Sequence, residues 1–215
     1  MSVDASSAPP PRSVWVGTAP LVLASRSPAR LALLASASLS VEVVAPDVDE
    51  RAFEDEYLRR GGTLEGLAAA LAQEKALAAS AIRPDAYCLG ADQTLTLGAQ
   101  LLHKPATLAD AAETLTALAG QTHRLTSAFS VALAGETLVT DASEARLTMR
   151  TLTRDAIAAY LDRAGHAATS SVGAYQVEGV GVHLFEGVDG DHWTILGLPI
   201  LKLLSWFRSR GLLAL

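Results

Sequence analysis

Pro20-Leu21-Val22-Leu23-Ala24-Ser25-Arg26-Ser27-Pro28-Ala29-Arg30-Leu31-Ala32-Leu33-Leu34 begins apolar, turns polar for a few residues and becomes apolar again. Residues 21–24 have the length of a buried strand, and residues 31–34 begin a helix face. Ser27 is a good N-cap, and Pro28 suits the first helical position, where its missing N–H costs nothing. A strand joined to a helix by a short loop is the opening unit of an α/β or α+β chain. The free N–H groups of the first helical turn carry the positive end of the helix dipole back toward that loop. Ser25 and Ser27 add hydroxyls there, and Arg26 and Arg30 add guanidiniums, whose planar fork donates to phosphate in pairs. The stretch reads as an anion site, although a capped helix with solvated arginines would have the same pattern.

The chain has 215 residues, half of them apolar, enough for one domain with a substantial core. Residues 1–19 are rich in Ser, Pro and Ala without a period and read as a flexible N-terminal tail; residues 20–215 read as the domain. A net charge of −6 argues against a nucleic-acid or membrane surface, so a polyanionic ligand should be small and met by a local cluster. The single cysteine, Cys88, excludes an intrachain disulfide and fits a reducing cytosol. No run is long enough to cross a membrane, and Asp4 with Pro9-Pro10-Pro11 does not make a secretory signal, so a cytoplasmic protein is expected.

Residues 41–45 read as a strand followed by the acidic loop Pro46-Asp47-Val48-Asp49-Glu50, whose carboxylates are either divalent-cation ligands or solvated turn residues. Thr63 caps a helix over residues 64–81 that carries Leu67, Leu71, Glu74, Lys75 and Ala78 roughly on one side. Residues 87–97 read as a strand interrupted by Asp92 and Gln93, an unusual place for an acid, with Gly90 and Ala91 leaving room for a ligand. Lys104 stands beside Pro105 on a stiff backbone after a short hairpin. Helices over 108–118 and 154–164 flank a long antiparallel hairpin, 122–133 and 137–147, from which Thr126 and Ser127 could reach a ligand. A glycine-rich segment over 171–181 leads into a strand, and Leu198-Pro199 opens a last helix whose apolar face includes Leu201, Leu204 and Phe207. The order of elements predicts an α/β or α+β fold with a mixed sheet. The chain has no P-loop, no G-x-G-x-x-G opening a helix after a strand, no G-x-S-x-G elbow and no paired histidines spaced for zinc.

Seven pieces in order, Leu23-Ala24-Ser25-Arg26-Ser27-Pro28-Ala29-Arg30, Asp47-Val48-Asp49-Glu50, Glu74-Lys75-Ala76, Gly90-Ala91-Asp92-Gln93, Lys104-Pro105, Gly173-Ala174-Tyr175 and Gly197-Leu198-Pro199, resemble the Maf family of nucleoside triphosphate pyrophosphatases. The resemblance implies a curved mixed sheet flanked by helices, with two lobes around a central cleft, a Maf/inosine-triphosphatase-like architecture. It implies a homodimer that uses a divalent metal cation, Mg²⁺ or Mn²⁺, to cleave a nucleoside triphosphate between the α- and β-phosphates, giving the monophosphate and pyrophosphate. By position, Asp92 resembles the family's proton acceptor. Ser25, Ser27, Arg30, Lys75 and Lys104 fall in its phosphate-binding set, and Glu50 and Asp92 near its metal.

Ala29, Gln93 and Glu178 match three positions tied to substrate choice. The dTTP and UTP branch resembles Arg, Thr and Gln there, and the 7-methyl-GTP branch Trp, Gln and Glu. This chain agrees with the second branch at Gln93 and Glu178, and a carboxylate suits guanine, whose edge offers N1–H and N2–H₂ as donors. Ala29 departs from both branches and cannot stack on a base; Trp193 and Tyr175 are the other rings considered for that task. A pyrimidine triphosphate pyrophosphatase and a nucleotide-binding regulator of cell division without turnover are the alternative readings.

Overall fold

The computed structural model describes residues 13–215. Its centre is β3 (Tyr87–Leu97), paired antiparallel along one whole edge with β5 (Thr122–Leu133), which pairs in turn with β6 (Glu136–Met149) and β6 with β7 (Phe185–Asp189). The other edge of β3 is shared. β1 (Leu21–Leu23) pairs with it in parallel at Tyr87, Cys88 and Leu89, and β4 (Gln100–Leu102) pairs antiparallel at Leu95, Thr96 and Leu97. β2 (Glu42–Val43) extends the sheet beyond β1, completing seven strands of mixed direction. Between the two pairings, residues 90–94 have no strand beside them. A strand left with unpaired backbone groups offers them to other partners, and this gap is where the functional groups converge.

Because side chains alternate across a strand, Leu89, Ala91, Gln93 and Leu95 share one face. Leu89 and Ala91 belong to one core with Leu21, Leu23, Phe129 and Val131, covered by α1 (Pro28–Ser36) and α7 (Ile200–Ser209). Leu95 belongs to another with Leu125 and Leu147, covered by α4 (Leu108–Leu118) and α5 (Arg154–Ala164). Two cores on one face of the same long strands make the expected two lobes, and Gln93 lies at the seam. On the other face, α3 (Leu64–Ile82) crosses β3 and β5, packing Ala68 and Ala72 on Ala128. Gly90 permits this crossing: a Cβ there would lie 2.1 Å from the Ala72 carbonyl oxygen and 2.5 Å from the Ala76 nitrogen. The small residues at 90 and 91 therefore do not make room for a ligand, as their size suggests; Gly90 admits a helix backbone, and Ala91 is core.

The caps at Ser27, Thr63, Thr107 and Thr153 all form, each hydroxyl accepting a backbone N–H of the first turn, and Thr107 with Asp110 makes a full capping box. Two helices escape the periodicity. α2 (Glu50–Arg59) starts inside the acidic loop, capped by Asp49, and has no buried residue. Ion pairs run along its surface, Arg51 with Glu54 and Arg59 and Arg60 with Glu56, and its apolar stripe is short, with Phe53 stacked on Tyr57. α6 (His192–Ile195) is one turn, capped by Asp191. α7 is rotated from the expected face: Ile200, Leu203 and Phe207 are buried, whereas Leu201 is half exposed.

The reading of residues 1–19 as a flexible tail needs division. Residues 1–12 lie outside the described residues. Residues 13–19 are fixed: Val14 and Val16 donate to the carbonyls of Ser38 and Leu212, Trp15 bridges Leu213, and its indole packs edge-on against Tyr87 and Phe207. A large ring buried on the core outweighs the local Ser and Pro composition.

Candidate active site

The gap in the edge of β3 opens into a cleft of about 1130 Å³. Its lining includes Ser25, Ser27, Ala29, Arg30, Glu50, Lys75, Asp92, Gln93, Lys104 and Glu178. Thr126 and Ser127, which could reach a ligand by sequence, are buried and are not among its lining residues.

Asp92 points to the α3 side of the sheet, where the close crossing at Gly90 brings Lys75 within reach. The Lys75 ammonium lies 2.6 Å from Asp92 Oδ1 and 2.8 Å from Glu50 Oε1, the latter carried by the first residue of α2. Asp92 and Lys75 are buried, and Glu50 is open to solvent. Burial drives the Asp92 carboxyl above the ordinary carboxylate range; Lys75 and Arg30 oppose that shift, and Glu50 adds to it. A carboxylate with a raised pKa is a better proton acceptor than a free one.

Arg30 crosses the gap from α1. Its Nη1 donates to Ser25 Oγ at 3.1 Å and to the Ala91 carbonyl, the unpaired backbone of β3, at 2.9 Å. Its Nε donates to the Gly197 carbonyl at 2.8 Å. Gly197 has a φ of +96°, a left-handed conformation that favours glycine, whereas a Cβ there would make only ordinary contact with the Arg30 Nε at 3.5 Å. Burial lowers the Arg30 pKa from its usual value, with the carboxylates of Asp92 and Glu50 restoring part of the loss. Ser27 Oγ is committed as the α1 cap, and Ser25 Oγ accepts from Ser27 N–H. Lys104 is exposed on the loop after β4, next to His103, which lies 3.4 Å from Glu54 of α2. His103 and Glu54 escape the sequence reading, because Glu54 belongs to a helix that the periodicity does not disclose.

Among the described residues no three His, Cys, Asp or Glu side chains are grouped to hold a metal. Asp92 and Glu50 do flank one point of positive charge, the Lys75 ammonium. Two hard carboxylate donors suit Mg²⁺ or Mn²⁺ when phosphate oxygens and water complete the shell, the usual division of ligands in phosphate chemistry. Asp92 and Glu50 are the residues that could hold such an ion.

The two replacement rings differ: Tyr175 lines the cleft but is engaged, and Trp193 is exposed but away from the lining. Tyr175 is 5% exposed, packs edge-on on Phe185 at 4.7 Å and shares its hydroxyl with His123 Nε2 at 2.6 Å. Trp193 is not among the residues lining the cleft. Ala29 and Glu178 are on its wall, so that wall has a carboxylate but no ring at position 29.

A family model described as "Maf-like protein" matches residues 20–210. The chain belongs to the Maf family. A Maf relative named nucleoside triphosphate pyrophosphatase, from Rhodopseudomonas palustris strain HaA2, is 52% identical over 203 residues, 94% of this chain and 99% of the relative. A relative of the same name from Bradyrhizobium diazoefficiens is 48% identical, covering 94% of this chain and 98% of its own. Another Maf relative, from Rhizobium johnstonii, is named 7-methyl-GTP pyrophosphatase and is 48% identical over 194 residues, 90% of this chain and 98% of its own.

Proposed function

We propose that this Maf protein is a nucleoside triphosphate pyrophosphatase that hydrolyses a 7-methyl-GTP-like triphosphate to the monophosphate and pyrophosphate. The observation that carries the reading is the meeting of Asp92, Lys75 and Arg30 at the unpaired stretch of β3: a buried base 2.6 Å from a cation, with a guanidinium on the same backbone gap. Names given to relatives about half identical along nearly their whole length support the same chemistry.

In this mechanism Lys75, Arg30 and Lys104 hold the phosphates, and Ser25 adds a hydroxyl beside Arg30. Asp92 orients a water and takes its proton as the water oxygen bonds to phosphorus. The bridging phosphoanhydride bond breaks, and its electron pair leaves on pyrophosphate, whose growing charge meets the same cations. A divalent ion on Asp92 and Glu50 would supply further charge neutralisation when bound. We place the enzyme in the cytoplasm as a homodimer, the assembly the family resemblance implies. No helix among the described residues is long and apolar enough to cross a membrane.

Base preference rests on Gln93 and Glu178 against Ala29. The ring absent at position 29 removes a stacking contact of about 1–3 kcal/mol by analogy with aromatic–base contacts in nucleic-acid binding; Ala29 departs from the Arg of the pyrimidine branch as well, so the pyrimidine enzyme is the competing reading without being favoured by that position. Pyrophosphate release from 7-methyl-GTP, GTP, UTP and dTTP tests both. Preferential release from the guanine nucleotides is expected, and Asp92→Asn should lower kcat by about 10²–10⁴. A preference for UTP overturns the purine assignment, and nucleotide binding without release overturns the hydrolase in favour of the regulator.

A further inference from the structure

Gln93 and Ser127 face each other directly across the β3–β5 ladder, at the polar seam between the two cores. The Gln93 amide nitrogen lies 2.9 Å from Ser127 Oγ, 3.1 Å from the Thr194 carbonyl oxygen and 3.0 Å from that of Ile195. All three neighbours are acceptors. The carbonyls have no hydrogen to give, and the one hydroxyl hydrogen of Ser127 is donated to the Thr194 carbonyl at 2.7 Å. Only the NH₂ end of the amide can occupy that place, since a rotated amide would set its oxygen against three oxygens.

The acceptors are themselves fixed. α6 is a single turn, and its Thr194 carbonyl also accepts from the Gly197 N–H at 3.1 Å, which fixes the direction in which its oxygen points. Asp191 holds that turn from the other end, accepting from Thr194 N–H at 2.8 Å and from Thr194 Oγ1–H at 2.5 Å. The carbonyl of Gly197, two residues beyond α6, holds Arg30. Gln93 Oε1 has no hydrogen-bond partner among the described residues, and the residue lines the cleft.

We propose that Ser127 is a positioning residue for base selection: with the Thr194 and Ile195 carbonyls it pins the Gln93 amide so that position 93 offers the nucleotide an acceptor and never a donor. The proposal rests on the cleft being a nucleoside triphosphate site and adds what makes it selective. Glu178, which lines the same cleft, is, when ionised, also an acceptor only. Two acceptors suit guanine, which presents N1–H and N2–H₂ as adjacent donors. They suit uracil poorly, because its single donor lies between two carbonyls. A free glutamine could serve either base by rotating its amide, and Ser127 acts with the Thr194 and Ile195 carbonyls to remove that freedom.

The test is the affinity of the full chain, by calorimetry with Mg²⁺, for the uncleavable α,β-methylene analogues of GTP and UTP. It is run on the wild type, Ser127→Ala and Ser127→Thr. The expected result is tighter binding of the guanine analogue by the wild type. The guanine-to-uracil affinity ratio should drop about three- to tenfold in Ser127→Ala, the size of one hydrogen bond's net contribution, and recover in Ser127→Thr. The ¹⁵N-detected side-chain NH₂ protons of Gln93 should be protected from exchange in the wild type without nucleotide. An unchanged ratio in Ser127→Ala, a wild-type preference for the uracil analogue, or a freely exchanging Gln93 amide overturns the proposal. If Ser127→Ala does not fold, the wild-type exchange rate decides. Neither readout involves turnover, so absence of pyrophosphate release from all four of 7-methyl-GTP, GTP, UTP and dTTP would overturn the hydrolase reading separately.

Discussion

Lys75 is shared by two carboxylates of unlike surroundings, one buried and one open to water. Its removal leaves Asp92 buried without its nearest cation, a change that costs about 3–5 kcal/mol when a buried pair loses one member. Lys75→Met should therefore be destabilised by that order in urea unfolding. The Asp92 carboxyl, already lifted by burial, should take up its proton at still higher pH, which ¹³C titration of the side chain reads directly. The sign for stability follows. A carboxyl whose folded pKa lies above its unfolded one makes the protein less stable as pH rises from the ordinary carboxylate value through the raised one, and the variant should widen that window. For activity, the base works only when ionised, so kcat should decline on acidification at a pH above the ordinary carboxylate range. At this scale the sequence is informative about part of the cluster: an aspartate inside an apolar strand breaks a local rule, whereas a lysine on an Ala- and Leu-rich helix breaks none and is picked out by the family resemblance alone. It does not show that Gln93 and Ser127 form a unit, because their partners are main-chain carbonyls at 194 and 195, and any residue carries a carbonyl.

The crossing of α3 over β3 decides where Lys75 stands. Gly90→Ala would put a methyl group into the backbone of α3 at Ala72 and Ala76. The helix must shift, and we expect more than about 3 kcal/mol of destabilisation, the range of overpacking that the backbone cannot absorb. Activity should fall further than stability predicts, because the same shift carries the ammonium away from Asp92; comparing urea midpoints with kcat separates the two effects. Elements with a capped start and an apolar stripe, such as α3, α4 and α5, are legible in the chain to within a residue or two. α2 is not, since its residues stabilise one another along an exposed surface, and α6 is too short to have a period. The one-residue rotation of α7 is set by what it packs on, Trp15 and the strands beneath, and not by its own pattern.

Across the whole molecule, the lobe built on α4 and α5 holds a buried histidine between Tyr175 and Phe185. His123 Nε2 meets the Tyr175 hydroxyl, and Nδ1 has no partner. Burial lowers its pKa from 6.5 to about 4. In the unfolded chain it protonates first, so stability is complete above pH 6.5 and falls as pH drops toward 4. Between pH 7 and pH 5 this one group should remove about 2 kcal/mol. Unfolding free energies of wild type and His123→Gln over that interval should differ in slope by this amount, with the wild type the steeper. The mixed-sheet class and the two-lobed plan are readable from the order of elements and the family's scattered motifs. The gap between β1 and β4 is not, because it arises from where two separate strands stop along a third.

Trp15 and Leu213 bridge, and Ala214 donates to the Val14 carbonyl, so residues 14–16 and 212–214 close together over one side of the α1–α7 core. A protease that trims the last few residues would thus loosen the segment around Trp15 as well, uncovering Phe207 and Tyr87 together. The two segments act as a single clasp, and an affinity handle is better spaced away from Leu215 than joined directly to it.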